Sequence, residues 1–252
     1  MLCCRKMTSF SVAASLLCGG AAFADVTFSF TSGGLGASAT FAVSGSNLIV
    51  TLTNTGTADV LVPTDVLTGV FFNRAGAALT LGRVSAVVAA GSSLSGTLPG
   101  TPTNPPPDGI GGEWSYNTVS GPHGTGYGIS SSGLGLFGAG DTFPGLNLQG
   151  PPSPDGVQYG LVTAGDNPLT GNGGILGNAF IKNSAVFTLS GLPGDFDLAN
   201  LSDVWFQYGT DLSEPQFQAD TPAPGSLALL AMGAVFAMRG PGGRRVRAAV
   251  RS

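Results

Sequence analysis

Leu48-Ile49-Val50-Thr51-Leu52-Thr53-Asn54-Thr55-Gly56 decides the fold class of this chain. Leu48, Val50 and Leu52 alternate with Ile49, Thr51 and Thr53, and Asn-Thr-Gly closes the run. A period of two bounded by turn residues puts successive side chains on opposite faces, which is the signature of a half-buried strand. The same period recurs on both sides. Upstream, Val26, Phe28 and Phe30 alternate with Thr27 and Ser29, and Ala39, Phe41 and Val43 lie around Thr40 and Ala42. Downstream, Ala185, Phe187 and Leu189 form one face, and Val204, Phe206 and Tyr208 another. Many short strands without helical patterns between them predict an all-β protein, a β-sandwich of jelly-roll or immunoglobulin-like type.

The strand-dense part runs from Asp25 to about Leu98. Pro99 to Gly112 (PGTPTNPPPDGIGG) holds five prolines among fourteen residues, and proline supplies no donor to a sheet ladder, so 99–112 reads as an exposed loop or linker. A Gly-rich region follows from Glu113 to Gly177, and a final strand pair spans roughly Ala179 to Thr210. Residues 25–220 are expected to form one domain with a long Gly/Pro-rich insertion, the last strands completing the first sheets; two domains split near Pro105 is the alternative. A body of about 195 residues is ample for a buried core.

Both ends carry targeting chemistry. Arg5 and Lys6 precede a largely apolar stretch, Met7 to Leu17, and Ala22-Phe23-Ala24 offers a small-x-small cleavage site before Asp25. Residues 1–24 therefore read as a secretory signal peptide. Cys18 does not make it a lipoprotein signal, since Leu17 stands where a small residue is required. At the other end, Thr221-Pro222-Ala223-Pro224-Gly225 precedes the apolar run Ser226 to Met238, and Arg239, Arg244, Arg245, Arg247 and Arg251 follow. Crossing a hydrocarbon core of roughly 30 Å takes about 20 apolar residues as a helix, so 226–238 is a short transmembrane segment. Snorkelling arginines cover part of the mismatch. Basic residues gather on the cytoplasmic side, which puts the arginines inside and the body outside.

The order Pro-Ala-Pro, apolar run, arginine cluster resembles the PEP-CTERM sorting signal of Gram-negative bacteria, which is read by a membrane protease/transpeptidase called exosortase. The family tail begins Pro-Glu-Pro; here Ala223 replaces the Glu between Pro222 and Pro224, which bears on the exosortase subtype that would act. Residues Pro222, Ala223, Pro224, Arg239, Arg244 and Arg245 carry the match. Three internal stretches are also similar to a group of exosortase-dependent surface proteins: Gly128 to Phe137 (GISSSGLGLF), Asp155 to Gly160 (DGVQYG) and Val204 to Thr210 (VWFQYGT). The resemblance implies processing by signal peptidase and an exosortase-like enzyme, transient anchoring in the inner membrane, and display at the cell surface. It implies no catalytic residues.

Without its ends the chain changes character. Cys3, Cys4 and Cys18 all lie in the signal peptide, so the mature body forms neither a disulfide nor a thiolate metal site. The body from Asp25 to Asp220 holds all fourteen acids but only Arg74, Arg83 and Lys182 as cations, a formal charge of −11 against −4 for the whole chain. Such a surface repels phosphate backbones and anionic headgroups, which excludes nucleic acid as a partner. Divalent cations and neutral polysaccharides stay compatible.

The catalytic inventory is thin. His123, in Gly121-Pro122-His123-Gly124, is the single histidine, and no G-x-S-x-G elbow accompanies the many serines. Two acids held about 5–10 Å apart in a cleft would serve a glycosidase, and Glu113 with Asp155 or Asp166 is the pair to test. For binding, Trp114 and Tyr116, beside the Pro/Gly stretch, are the candidates for an exposed glycan platform, while Trp205 and Tyr208 read as core. Asp166-Asn167-Pro168-Leu169-Thr170-Gly171-Asn172 gathers oxygen ligands, making Asp166, Asn167 and Asn172 a candidate calcium loop, although turn chemistry accounts for these residue types equally well. No other cofactor is expected. The expectation is a non-enzymatic, secreted surface or extracellular-matrix protein. A carbohydrate-binding or adhesive module acting on matrix polysaccharide comes second, and a secreted glycoside-active enzyme third.

Overall fold

The computed structural model describes residues 25–96, 109–121 and 123–220. The expected signal peptide 1–24 with Ala22 and Ala24, the tail 221–252 with its expected span 226–238, and most of the Pro-rich stretch lie outside the described residues. The strands are β1 (Val26–Ser32), β2 (Leu35–Ser44), β3 (Asn47–Asn54), β4 (Leu67–Arg74), β5 (Gly82–Val88), β6 (Ser93–Gly96), β7 (Ser115–Gly121), β8 (Gly124–Ser130), β9 (Leu161–Val162), β10 (Ala179–Lys182), β11 (Ser184–Ser190), β12 (Leu201–Tyr208) and β13 (Gln216–Gln218). Among the described residues the only helical pieces are three-residue 3-10 turns, and no helix is long and apolar enough to cross a membrane. The described residues form an all-β body, as the period of two predicts.

The strands make two sheets. One has the order β1-β2-β3-β11-β5 and is antiparallel throughout. The other runs β13-β12-β4-β9-β10-β6, with the β7–β8 hairpin joined to β4 through β8. Strand β11 lies between β3 and β5, and β12 lies beside β4, so the late strands enter both sheets built by the early ones.

Register converts the alternation into a core. Val26, Phe41, Val50, Phe187 and Ala86 stand opposite one another across all five strands of the first sheet. A row of this kind presents one apolar face to the second sheet. Phe41 meets Phe72 of β4 with ring centroids 5.1 Å apart, and Phe30 meets Phe206 of β12 at 5.3 Å. Residues of both sheets form one shared hydrophobic cluster, so the sheets pack as a sandwich. Phe71 points away from that core and builds a smaller cluster with Val119, Leu134 and Phe137, against which Trp205 packs.

The expectation of an exposed loop through Gly112 fails at its downstream end. Gly109 to Gly112 are buried, and Ile110 N donates to Ala86 O of the β5 edge at 2.8 Å. A Cβ on Gly111 would overlap Pro144 O, and one on Gly112 the backbone of Leu146. The glycines read as turn formers in sequence. In space they let two backbones touch between β5 and the 143–149 loop.

Candidate functional site

The residues proposed as a glycan platform are inside the protein. Trp114 follows the Gly111–Glu113 turn and is 0% exposed; its ring lies 4.8 Å from that of Phe187, and its Nε1–H donates to Tyr159 O at 3.1 Å. Tyr116, on β7, is also buried. Neither offers a ring face to a sugar. Their burial has a simple cause: the close glycine packing draws the following segment into the core, and aromatic burial completes it. Tyr208 is buried as expected, whereas Trp205 is only half-buried.

His123 explains why Trp205 stays at the surface. The imidazole stacks on the Trp205 ring at 3.8 Å with planes 9° apart. Gln216 donates through its amide to Leu212 O, which leaves Gln216 Oε1 facing His123; the imidazole Nε2–H donates to it at 2.5 Å. Burial holds this histidine below its ordinary pKa, outweighing the hydrogen bond to Gln216. The contact ties the β7–β8 tip to β12 and β13.

The paired-acid reading meets a different obstacle. Glu113 is 2% exposed, and its carboxylate accepts backbone N–H bonds from Leu148 and Gln149. Burial, assisted by the nearby Asp155 charge, pushes Glu113 up despite those two bonds. Burial also raises Asp155. The two acids do come near each other, but Glu113 fastens the 144–149 loop from within rather than facing a cleft. Asp166 belongs elsewhere: its Oδ1 accepts from Val60 N at 2.8 Å, beside Asp59.

In the candidate calcium loop the oxygens already serve the fold. Asn167 Oδ1 accepts from Leu169 N and Asn172 Oδ1 from Gly174 N, both two residues on in the chain. Asp59 accepts from Asn167 N and the Thr170 hydroxyl. No cluster of three or more His, Cys, Asp or Glu suited to a metal occurs among the described residues.

These acids give a pH prediction. Glu113, Asp155 and Asp166 are all raised in the fold, chiefly by burial. The folded chain then binds their protons at higher pH than the unfolded chain does, so stability rises as pH falls through the folded values and levels off below the ordinary ones, 4.5 for Glu and 3.8 for Asp. Asp211, held low by Ser213, acts oppositely, but its contribution is lost only in stronger acid. The melting temperature is expected to climb from pH 7 to about pH 5. Glu113→Gln keeps an acceptor for Leu148 and Gln149 without a buried charge, so it should match or exceed the parent at pH 7 and show a shallower climb. A melting temperature that falls steadily over that interval in the parent refutes this.

Sequence reasoning passed over the two arginines. Arg74 ends β4 and lines a cleft of about 410 Å³ with Asn73, Thr118, Tyr127 and Asp203. Arg83, on β5, lines a neighbouring cleft of about 260 Å³ with Thr80, Tyr116, Asn117, Thr118 and Asp141. Thr118 borders both. The available signal was scarcity: Arg74 and Arg83 are two of only three cations in the body, nine positions apart around a Gly/Ala-rich turn. The described residues form an all-β, two-sheet body with two adjoining polar clefts that meet at Thr118, one against β4, β8 and β12 and one between β5 and β7. No family model matches the chain, and no curated protein or solved structure matches it.

Proposed function

We propose that the chain is a non-enzymatic surface or extracellular-matrix protein, exported by the general secretory route and sorted by an exosortase-like enzyme. The observation that carries this reading is the ordered segment Pro222-Ala223-Pro224, apolar run 226–238, arginines 239–251, placed directly after the body. The body is tied off where that segment starts. Ala219 N donates to Val204 O of one sheet and Asp220 N to Ser29 O of the other, both at 2.8 Å. A sandwich, here a jelly-roll- or immunoglobulin-like display domain, closed across both sheets one residue before the tail suits a module held by its end at a membrane and then handed on. The acidity of the body supports an aqueous, extracytoplasmic setting, because like charge keeps such a surface soluble and off anionic headgroups.

Deleting Ser226 to Ser252 is expected to release the body without membrane retention. Replacing Arg239, Arg244, Arg245, Arg247 and Arg251 with neutral residues is expected to leave the chain mis-oriented or unprocessed. Cell fractionation in a host that has exosortase checks both, and membrane retention unchanged by the deletion overturns the reading.

A further inference from the structure

We propose that the double cleft at Thr118 binds a neutral polysaccharide, with consecutive sugar units seated beside Arg74 and Arg83. Each cleft pairs one guanidinium with one carboxylate, Arg74 with Asp203 and Arg83 with Asp141. A donor fork beside an acceptor matches the vicinal hydroxyls of a pyranose, which must both give and receive hydrogen bonds. Side-chain amides and hydroxyls of Asn73, Asn117 and Thr118 complete the polar lining.

Three separate features set these clefts apart. Arg74 Nε–H is shielded from solvent and has no acceptor among the described residues, although the guanidinium is steadied by the Phe196 ring and by Ala77 O. The shielded Nε–H is out of a ligand's reach, but among the described residues the guanidinium has one hydrogen-bond acceptor, Ala77 O, so most of its donors are not spent on the protein. At the other cleft, Tyr116 Oη lies near Thr118 without a well-formed hydrogen bond, and Arg83 holds Asp141 only loosely at 3.7 Å. Asp141 is fixed by Asn117 Nδ2 and Gly138 N, whereas Arg83 Nη1 makes only long contacts, to Asp141 and to Tyr116 O at 3.5 Å, so it is the guanidinium that can turn to a ligand. Finally, Asp203 has φ of +48°, unusual for a non-glycine residue, where the β12–β4 register slips between Ser202 and Trp205. Bulges and strained residues of this kind re-aim side chains beside binding surfaces.

The charge pattern selects neutral over acidic glycans. Each arginine is matched by an acid in its own cleft, and the surrounding body carries −11, which repels uronate chains. This site replaces an exposed Trp114–Tyr116 ring platform as the place where sugar would bind; only Tyr116 also lines one of the clefts. It does not depend on how the chain is sorted, because it is tested on purified protein rather than by fractionation.

The test is native affinity electrophoresis of the purified full chain, in mild detergent, through gels containing dextran, galactomannan, xyloglucan or, as the acidic probe, alginate. At least one neutral polymer should retard the chain, and alginate should not. Arg83→Ala, Asp203→Asn and Thr118→Glu should each weaken retardation at least tenfold with an unchanged melting temperature. Thr118→Glu alters only an exposed side chain at the junction, so it decides the matter should another variant fail to fold. Mobility unchanged by all three neutral polymers overturns the proposal. So does retardation that survives Thr118→Glu, or retardation stronger in alginate than in any neutral gel.

Discussion

Trp114→Ala is expected to cost the body about 3–5 kcal/mol of stability, the range for emptying a large aromatic from a core. The indole is fully buried, packs on Phe187, and donates to Tyr159 O. Truncation opens a cavity at the sheet interface and strips that carbonyl of its partner. The two losses fall on one site, so they add to a single large effect. Trp114→Phe restores most of the packing but not the donor, and should cost about 1–2 kcal/mol. Denaturant unfolding of the full chain followed by tryptophan fluorescence from Trp205, with circular dichroism as a second probe, gives both values. An exposed glycan platform would predict near-zero change, so a loss under about 0.5 kcal/mol for the alanine variant would overturn the buried assignment.

Gly112→Ala is the second severe substitution. A Cβ there would overlap Leu146 O and C, and would crowd Asn147 N at 2.5 Å. The obstacle is backbone, which cannot swing aside as the end of a long side chain can. That backbone is also fastened: Glu113 accepts from Leu148 N and Gln149 N, and Phe143 N donates to Trp114 O at 2.8 Å. Relief requires the whole 143–149 loop to shift against these bonds. The expected loss is about 3 kcal/mol, the upper end for overpacking. Gly140→Ala is the control, since a Cβ at Gly140 meets nothing within 4 Å, and it should stay within about 0.5 kcal/mol of the parent. Equal stabilities for the two variants would mean that the Gly111–Gly112 contact is not built as described.

The candidate site was far less legible than the fold. Trp114 and Tyr116 looked exposed because prolines and glycines precede them, yet glycine marks a tight backbone approach as readily as a surface turn. Local composition cannot separate the two cases. Arg74 and Arg83 lie on different strands in different sheets and become neighbours only through packing. The strained bulge that exposes Asp203 likewise comes from pairing with β4, not from any motif around Asp203.

Strand identity followed the sequence in β1, β2, β3, β11 and β12, whereas β5 and the β7–β8 hairpin inside the Gly-rich region were not read from it. Leu48, Val50 and Leu52 are buried while Ile49, Thr51 and Thr53 are only partly so, because a period of two records a surface with a wet side and a dry side. Strand β4 escaped that reading. Leu67 to Phe72 are buried without alternation, since the core covers one face and the Phe71 cluster the other, and a strand buried on both faces has no period to show. The short strands β6, β9 and β10 carry too few residues to show one. The sequence by itself therefore determined the all-β class and the faces of β1, β2, β3, β11 and β12, which depend on neighbours along the chain, and the acidity of the body, which depends on composition alone. Tertiary structure alone decided that Trp114 and Glu113 lie inside, and that Arg74 and Arg83, on strands of different sheets, line adjoining clefts at Thr118, because packing between strands leaves no local pattern to read.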